Sequence, residues 1–152
     1  MNNIYFIVAP SCSGKTSICN LLKEKYNITF DEYNNCATAE QVENNDLYVI
    51  DPNGVDYFIK SYKGKKTSKI IFIDSDLTTR YDRMVKRAED KGDEHLTAVD
   101  KSLSRIKTDI SEFYDYIHNN AHIDFVVKNN KNDNLTDVVD KVYQYICDCE
   151  GR

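Results

Sequence analysis

Tryptophan is absent from this 152-residue chain, which has only two prolines and five glycines. No internal repeat and no low-complexity tract runs through it, so solenoid and linker-type architectures are excluded. Long hydrophobic runs are missing too. The apolar run Ile4 to Ala9 is too short for a membrane span or a secretory signal, and Met1-Asn2-Asn3 supplies no basic region before it. A cytoplasmic protein is expected. The five cysteines (Cys12, Cys19, Cys36, Cys147, Cys149) match neither a disulfide framework nor a paired CxxC zinc site, which fits a reducing compartment. Cys147-Asp148-Cys149 is assigned no role. Excess positive charge is also lacking: 20 Lys and Arg stand against 25 Asp and Glu, a net charge of −5. The field of the whole molecule therefore repels polyanions, and any phosphate site must be local. With no tryptophan to stack bases, a groove for nucleic acid is not expected.

What is present is ordinary for a folded chain, with 41% hydrophobic and 30% charged residues. The length suits a single domain over residues 1–152, able to bury about 70% of its unfolded surface. Four short apolar runs lack the alternation of a half-exposed strand: Ile4–Val8, Leu47–Ile50, Ile70–Ile73 and Ile123–Val127. Helical patterns lie between and after them, over 15–26, 55–62, 77–91, 96–119 and 135–147. Such alternation predicts βαβ units: a three-layer α/β/α sandwich around a mostly parallel sheet of about five strands. The longest helix carries Leu96, Val99, Leu103, Ile106, Ile110, Phe113 and Ile117 at steps of three and four, a stripe expected to face the core.

Ala9-Pro10-Ser11-Cys12-Ser13-Gly14-Lys15-Thr16 fits G-x-x-x-x-G-K-S/T at all but its first glycine. A buried strand precedes it and a helix follows, so backbone N–H groups and the positive helix end converge on one anion. This is a P-loop. Ser11, Cys12, Ser13, Gly14 and Ser17 would line the phosphates, Lys15 would bridge the β- and γ-phosphates of ATP, and the Thr16 hydroxyl would ligate Mg²⁺. Ala9 narrows the conformations open to the turn and is tolerated where no positive φ is needed.

From the P-loop onward the chain resembles guanylate kinase and its nucleoside monophosphate kinase relatives. Pro10 to Thr16 is similar to that family's P-loop. Val49-Ile-Asp-Pro-Asn-Gly-Val55 resembles its strand-to-helix turn, Leu77 to Arg105 its lid arginines, and Asp124-Phe-Val-Val-Lys-Asn129 the strand whose terminal asparagine lies near adenine. The resemblance implies an ATP- and magnesium-dependent phosphotransferase. It implies transition-state arginines at Arg83, Arg87 and Arg105, a nucleotide contact at Asn129, and a lid over 88–97 hinged at Gly92. Read physically, Arg80, Arg83 and Arg87 share one helical face beside the apolar stripe Leu77, Tyr81, Met84 and Ala88. Asp51 ends a buried strand, where a carboxylate can orient Mg²⁺ or the acceptor, or cap the next helix.

The resemblance departs in the acceptor region. Where guanylate kinases carry a long insertion with arginines for a nucleoside monophosphate, residues 27–46 contain no Arg or Lys. Without cationic partners, burying a monophosphate is unfavourable, so GMP is not the expected acceptor. Asp31, Glu32 and Tyr33 are candidate acceptor contacts, a plain loop being the leading expectation there. The leading function is transfer of the γ-phosphate of Mg-ATP to a small nucleotide or nucleoside. Two alternatives remain: a guanylate-kinase-like binding module, against which the intact Gly14-Lys15-Thr16 argues, and a kinase acting on nucleic acid.

Overall fold

The computed structural model describes residues 1–33, 44–119 and 122–152; the side chains of Tyr33 and 114–119 also lie outside that description. Among the described residues are five strands, β1 (Asn3–Val8), β2 (Phe30–Tyr33), β3 (Leu47–Ile50), β4 (Thr67–Asp74) and β5 (Phe125–Lys128). Five helices accompany them, α1 (Lys15–Tyr26), α2 (Pro52–Ser61), α3 (Leu77–Asp90), α4 (His95–Asn119) and α5 (Leu135–Glu150). The sheet order is β2-β3-β1-β4-β5, and every pairing is parallel. The expected α/β class holds.

The unalternating runs are explained by burial on both sides. In β1, Ile4, Phe6 and Val8 join one core with Tyr48, Ile50, Val55, Phe58, Ile70, Phe72 and Phe113. Tyr5 and Ile7 enter the opposite core with Ile18, Leu22, Val139, Val142 and Ile146. Helices α1 and α5 thus cover one face, locked by the stacked rings of Tyr26 and Tyr143 at 3.7 Å. Helices α2 and α4 reach the other face, and α3 packs on α4.

Two expectations are corrected. Phe30–Tyr33 is not a plain loop but the edge strand β2, entered after Asn27 ends α1 in a left-handed conformation (φ 56°). The rest of the acceptor-region reading, 34–43 with Cys36, lies outside the described residues. The stripe on α4 does not face the core as a whole: Phe113 is buried, but Leu96, Leu103 and Ile110 are exposed. The inward face is instead Ala98, Ser102, Asp109 and Phe113. The helix is turned so that the Asp109 carboxylate meets Arg80 and Ser11, a pairing that a core-facing stripe would forfeit. On α3 likewise, Arg80 is buried while Leu77 is exposed.

β1 sits at the point where the chain crosses from one side of the sheet to the other. Loops from the carboxyl ends of the strands converge there, the usual crevice for a ligand in such sheets.

Candidate functional site

The loop after β1 carries two left-handed residues, Cys12 (φ 59°) and Gly14 (φ 89°). Gly14 is doubly required, since a Cβ there would also run into the Asn129 side chain. Ala9 is buried and is not among the residues with positive φ, which explains how alanine replaces the motif's first glycine. α1 then begins without a side-chain cap and without an acidic residue in its first turn, so its positive end is open to an anion.

The loop is braced from behind through its carbonyls. Arg83 donates from Nη1 to the Cys12 carbonyl at 3.0 Å and from Nη2 to the Asn129 carbonyl at 3.1 Å. Asn129 Nδ2 donates to the Ser13 carbonyl at 2.9 Å, and the buried Ser75 hydroxyl donates to the Asn129 carbonyl at 2.6 Å. The Ser13 hydroxyl is fully buried without a partner, an orphaned polar atom inside the phosphate cradle.

A second brace comes from α4. Asp109, 1% exposed, accepts from the Ser11 backbone N–H (3.1 Å) and hydroxyl (3.2 Å), and pairs with Arg80, 7% exposed, at 3.1 Å. Arg105 pairs with Asp109 one turn later (3.1 Å) and donates from Nε to the Ser11 hydroxyl at 2.7 Å. Breaking such a buried network by removing one partner leaves an uncompensated charge. The signal for Asp109 was a lone carboxylate beside an apolar stripe, four residues after an arginine.

Among the described residues three clefts meet the loop; one, of about 380 Å³, brings Arg87 and Arg105 together with Ser11, Cys12, Met84 and Lys101, and two more flank it. One, of about 280 Å³, is lined by Cys12, Gly14, Ser17, Arg83, Arg87, Asn129, Asn130, Lys131, Asp133 and Leu135. The other, of about 210 Å³, is lined by Ala9, Ser11, Lys15, Glu32, Val49, Ile50, Asp51, Arg105, Glu112 and Phe113. Of the sequence-derived candidates, Arg83, Arg87 and Asn129 line the 280 Å³ cleft and Lys15, Asp51 and Arg105 the 210 Å³ cleft, while Arg87 and Arg105 also share the third. Thr16 stands by the 210 Å³ cleft, its hydroxyl 3.3 Å from the Glu32 carboxylate. Asp51 does cap α2, accepting from the Gly54 N–H at 2.7 Å, and still lines the cleft. Residues 88–97, where a lid is expected, span a tight turn between α3 and α4, with Gly92 left-handed (φ 102°).

Glu112 was not assigned from sequence, and Glu32, a candidate acceptor contact, was expected on a plain loop rather than a strand. For Glu32 the available signal was the alternation Ile28, Phe30 before it, the trace of an edge strand. Cys19, behind the loop, is inert: burial pushes its thiol up to about 12.

These residues fit Mg-ATP. The open helix end, the cradle that a Cβ would fill and the Thr16 hydroxyl beside a carboxylate suit a triphosphate with its metal. Among the described residues no group of three or more His, Cys, Asp or Glu could hold a metal alone. Magnesium needs no such cage, because water and substrate phosphates supply most of its ligands. Among the same residues no helix is long and apolar enough to cross a membrane.

No protein-family model matches the chain, and no curated protein sequence does. Solved structures do. An uncharacterized protein from Eubacterium ventriosum ATCC 27560 aligns over 100% of both chains, with 15% identity and a TM-score of 0.59. A shikimate kinase from Bacteroides thetaiotaomicron aligns over 93% of this chain and 96% of its own, with 10% identity and a TM-score of 0.53. A gluconokinase from Sinorhizobium meliloti 1021 aligns over 92% and 89%, with 13% identity and a TM-score of 0.50. The chain has the fold of P-loop kinases. At these identities the likeness speaks to fold, and it does not single out guanylate kinase.

Proposed function

We propose that this protein transfers the γ-phosphate of Mg-ATP to a hydroxyl of a small neutral or cationic acceptor, a nucleoside being one such compound. The observation that carries the reading is the asymmetry of the two clefts. The Gly14 side holds Arg83, Arg87 and Lys131 against Asp133, which suits the polyanionic donor. The Lys15 side holds Glu32, Asp51 and Glu112 against Lys15 and Arg105. With Lys15 and Arg105 committed to the transferring phosphate, and Glu32 and Asp51 facing its magnesium, Glu112 is the charge left toward the acceptor, and it disfavours an anionic one. The guanylate-kinase resemblance is then kept for the donor side only.

In this reading Lys15 and the N–H groups at the start of α1 hold the β- and γ-phosphates. Arg105, pinned by Ser11 and Asp109, offers its remaining donors to the equatorial oxygens of the transferring group, where charge accumulates in the transition state. Arg87 assists from the donor side. Arg83, committed to two carbonyls, is a positioning residue for the loop. Asn129 acts both as a brace and as a wall of the nucleotide cleft. Magnesium, when bound, would be held by Thr16 with Glu32 and, through its water shell, Asp51, and it neutralises phosphate charge. The acceptor oxygen forms a bond to the γ-phosphorus while the bond to the β–γ bridging oxygen breaks, its electron pair leaving on ADP. The hydroxyl proton passes to a carboxylate of the acidic cleft, which we assign to Asp51.

ADP release from Mg-ATP across nucleosides, nucleoside monophosphates, sugars, shikimate and gluconate tests this reading, with Lys15→Ala as control. Acceptor-dependent turnover is expected, falling on the order of a thousandfold in Lys15→Ala, about 4 kcal/mol of transition-state stabilisation. If no acceptor stimulates ADP release while Mg-ATP still raises the melting temperature, the protein is a nucleotide-binding module. If Mg-ATP has no effect at all, the site reading fails.

A further inference from the structure

Along α4, Leu96, Val99, Leu103, Ile106 and Ile110 recur at alternating steps of three and four, the a and d positions of a heptad. In this chain they form a bare seam. Leu96 is 76% exposed, Leu103 50% and Ile110 47%, with Val99 and Ile106 half-buried beside them. The seam runs roughly 21 Å at 1.5 Å per residue. It faces away from the clefts, because Leu103 and Arg105, two positions apart, lie on opposite sides of the helix. A continuous apolar strip of this kind marks an interaction surface rather than scattered surface residues.

The flanking charges name the occupant. Asp100 and Lys107 occupy successive e positions, and among the described residues neither has an ion-pair partner within the chain. In a parallel helix pair an e position faces a g position of the partner, but the g positions here, Ser102 and Asp109, are buried within their own subunit. In an antiparallel pair e faces e. We propose that two copies of this chain associate through the seam, α4 against α4, antiparallel about a twofold axis.

Leu103 then packs against the partner's Ile106, and Val99 against the partner's Ile110. Asp100 meets the partner's Lys107 while Lys107 meets the partner's Asp100, so one surface is complementary to itself in both shape and charge. The symmetric repetition doubles every contact, and the clefts on the far side of α4 stay open.

Sedimentation equilibrium of the full chain, from micromolar to hundreds of micromolar, tests the proposal in four variants beside the wild type. The wild type is expected to be a dimer. Leu103→Glu is expected to be a monomer with unchanged circular dichroism, since the site is solvent-exposed in the single chain. Lys107→Glu and Asp100→Lys each set like charges opposite one another twice and should raise the dissociation constant roughly tenfold. The double variant Asp100→Lys/Lys107→Glu should restore the wild-type value. A monomeric wild type, a dimer that survives Leu103→Glu, or a double variant no tighter than the singles would overturn it.

Discussion

Two of the clefts that meet the phosphate loop, the proposed donor and acceptor sides, are of similar size and share the loop as a wall, yet they differ in the sign of their charge. The donor-side cleft is basic, with Arg83, Arg87 and Lys131 set against Asp133. The acceptor-side cleft is acidic, with Glu32, Asp51 and Glu112 outnumbering Lys15 and Arg105. The net charge of −5 could not have announced a phosphate site, because a few cations gathered locally, Arg83, Arg87 and Lys131, are enough to make one cleft basic. On the proposed function, binding of the polyanion and selection of its acceptor are separable properties, located on different elements.

Substitutions that strike the shared wall have the largest effect. Asp109→Ala removes the group holding Ser11, Arg80 and Arg105 together, and should cost about 3–5 kcal/mol by denaturant unfolding because Arg80 is left buried and unpaired. Equal stability would mean that Arg80 finds water or another partner. One step smaller is the crossed pair Arg87→Ala and Glu112→Gln. The first should raise the KM for ATP roughly tenfold, about 1.4 kcal/mol, and leave the acceptor KM unchanged. The second should change only the acceptor KM. If either substitution moves both constants, the clefts are not independent.

Cys12→Gly relieves a left-handed non-glycine residue within the wall. It should stabilise the fold by about 1 kcal/mol in thermal unfolding. The smallest effect lies far from both clefts. Lys25 and Tyr26 donate to Asp140 between α1 and α5 and hold its carboxyl below the usual range. A depressed pKa in the fold stabilises above the ordinary carboxylate pKa, and that contribution fades as the pH falls through the folded value. Asp140→Asn should therefore lower the melting temperature slightly at neutral pH and not in acid.

The sequence made the β1–loop–α1 unit legible because two independent local signals coincide there, a two-sided buried strand and Gly14-Lys15-Thr16. The acceptor side was less legible. β2 is an edge strand bearing Asp31 and Glu32, so it lacked the apolar run that marked its neighbours, and Glu32 was legible as a candidate acceptor contact but not as part of a strand. The period of α4 fixed a helix but not its rotation about its own axis. That rotation depends on Asp109 meeting Arg80 and Ser11, contacts far apart in sequence that no local pattern encodes. Ala9 shows the converse: a departure from the motif that the backbone conformation accommodates.

On the proposed function, donor and acceptor are selected by opposite charge on the two sides of one loop. The most direct measurement is kcat/KM for matched acceptors that differ only in charge, each nucleoside or sugar against its own phosphate monoester, at saturating Mg-ATP. The uncharged member of every turned-over pair is expected to be preferred by roughly tenfold or more. Preference for the monoesters would contradict it and return the acceptor side to the guanylate-kinase pattern.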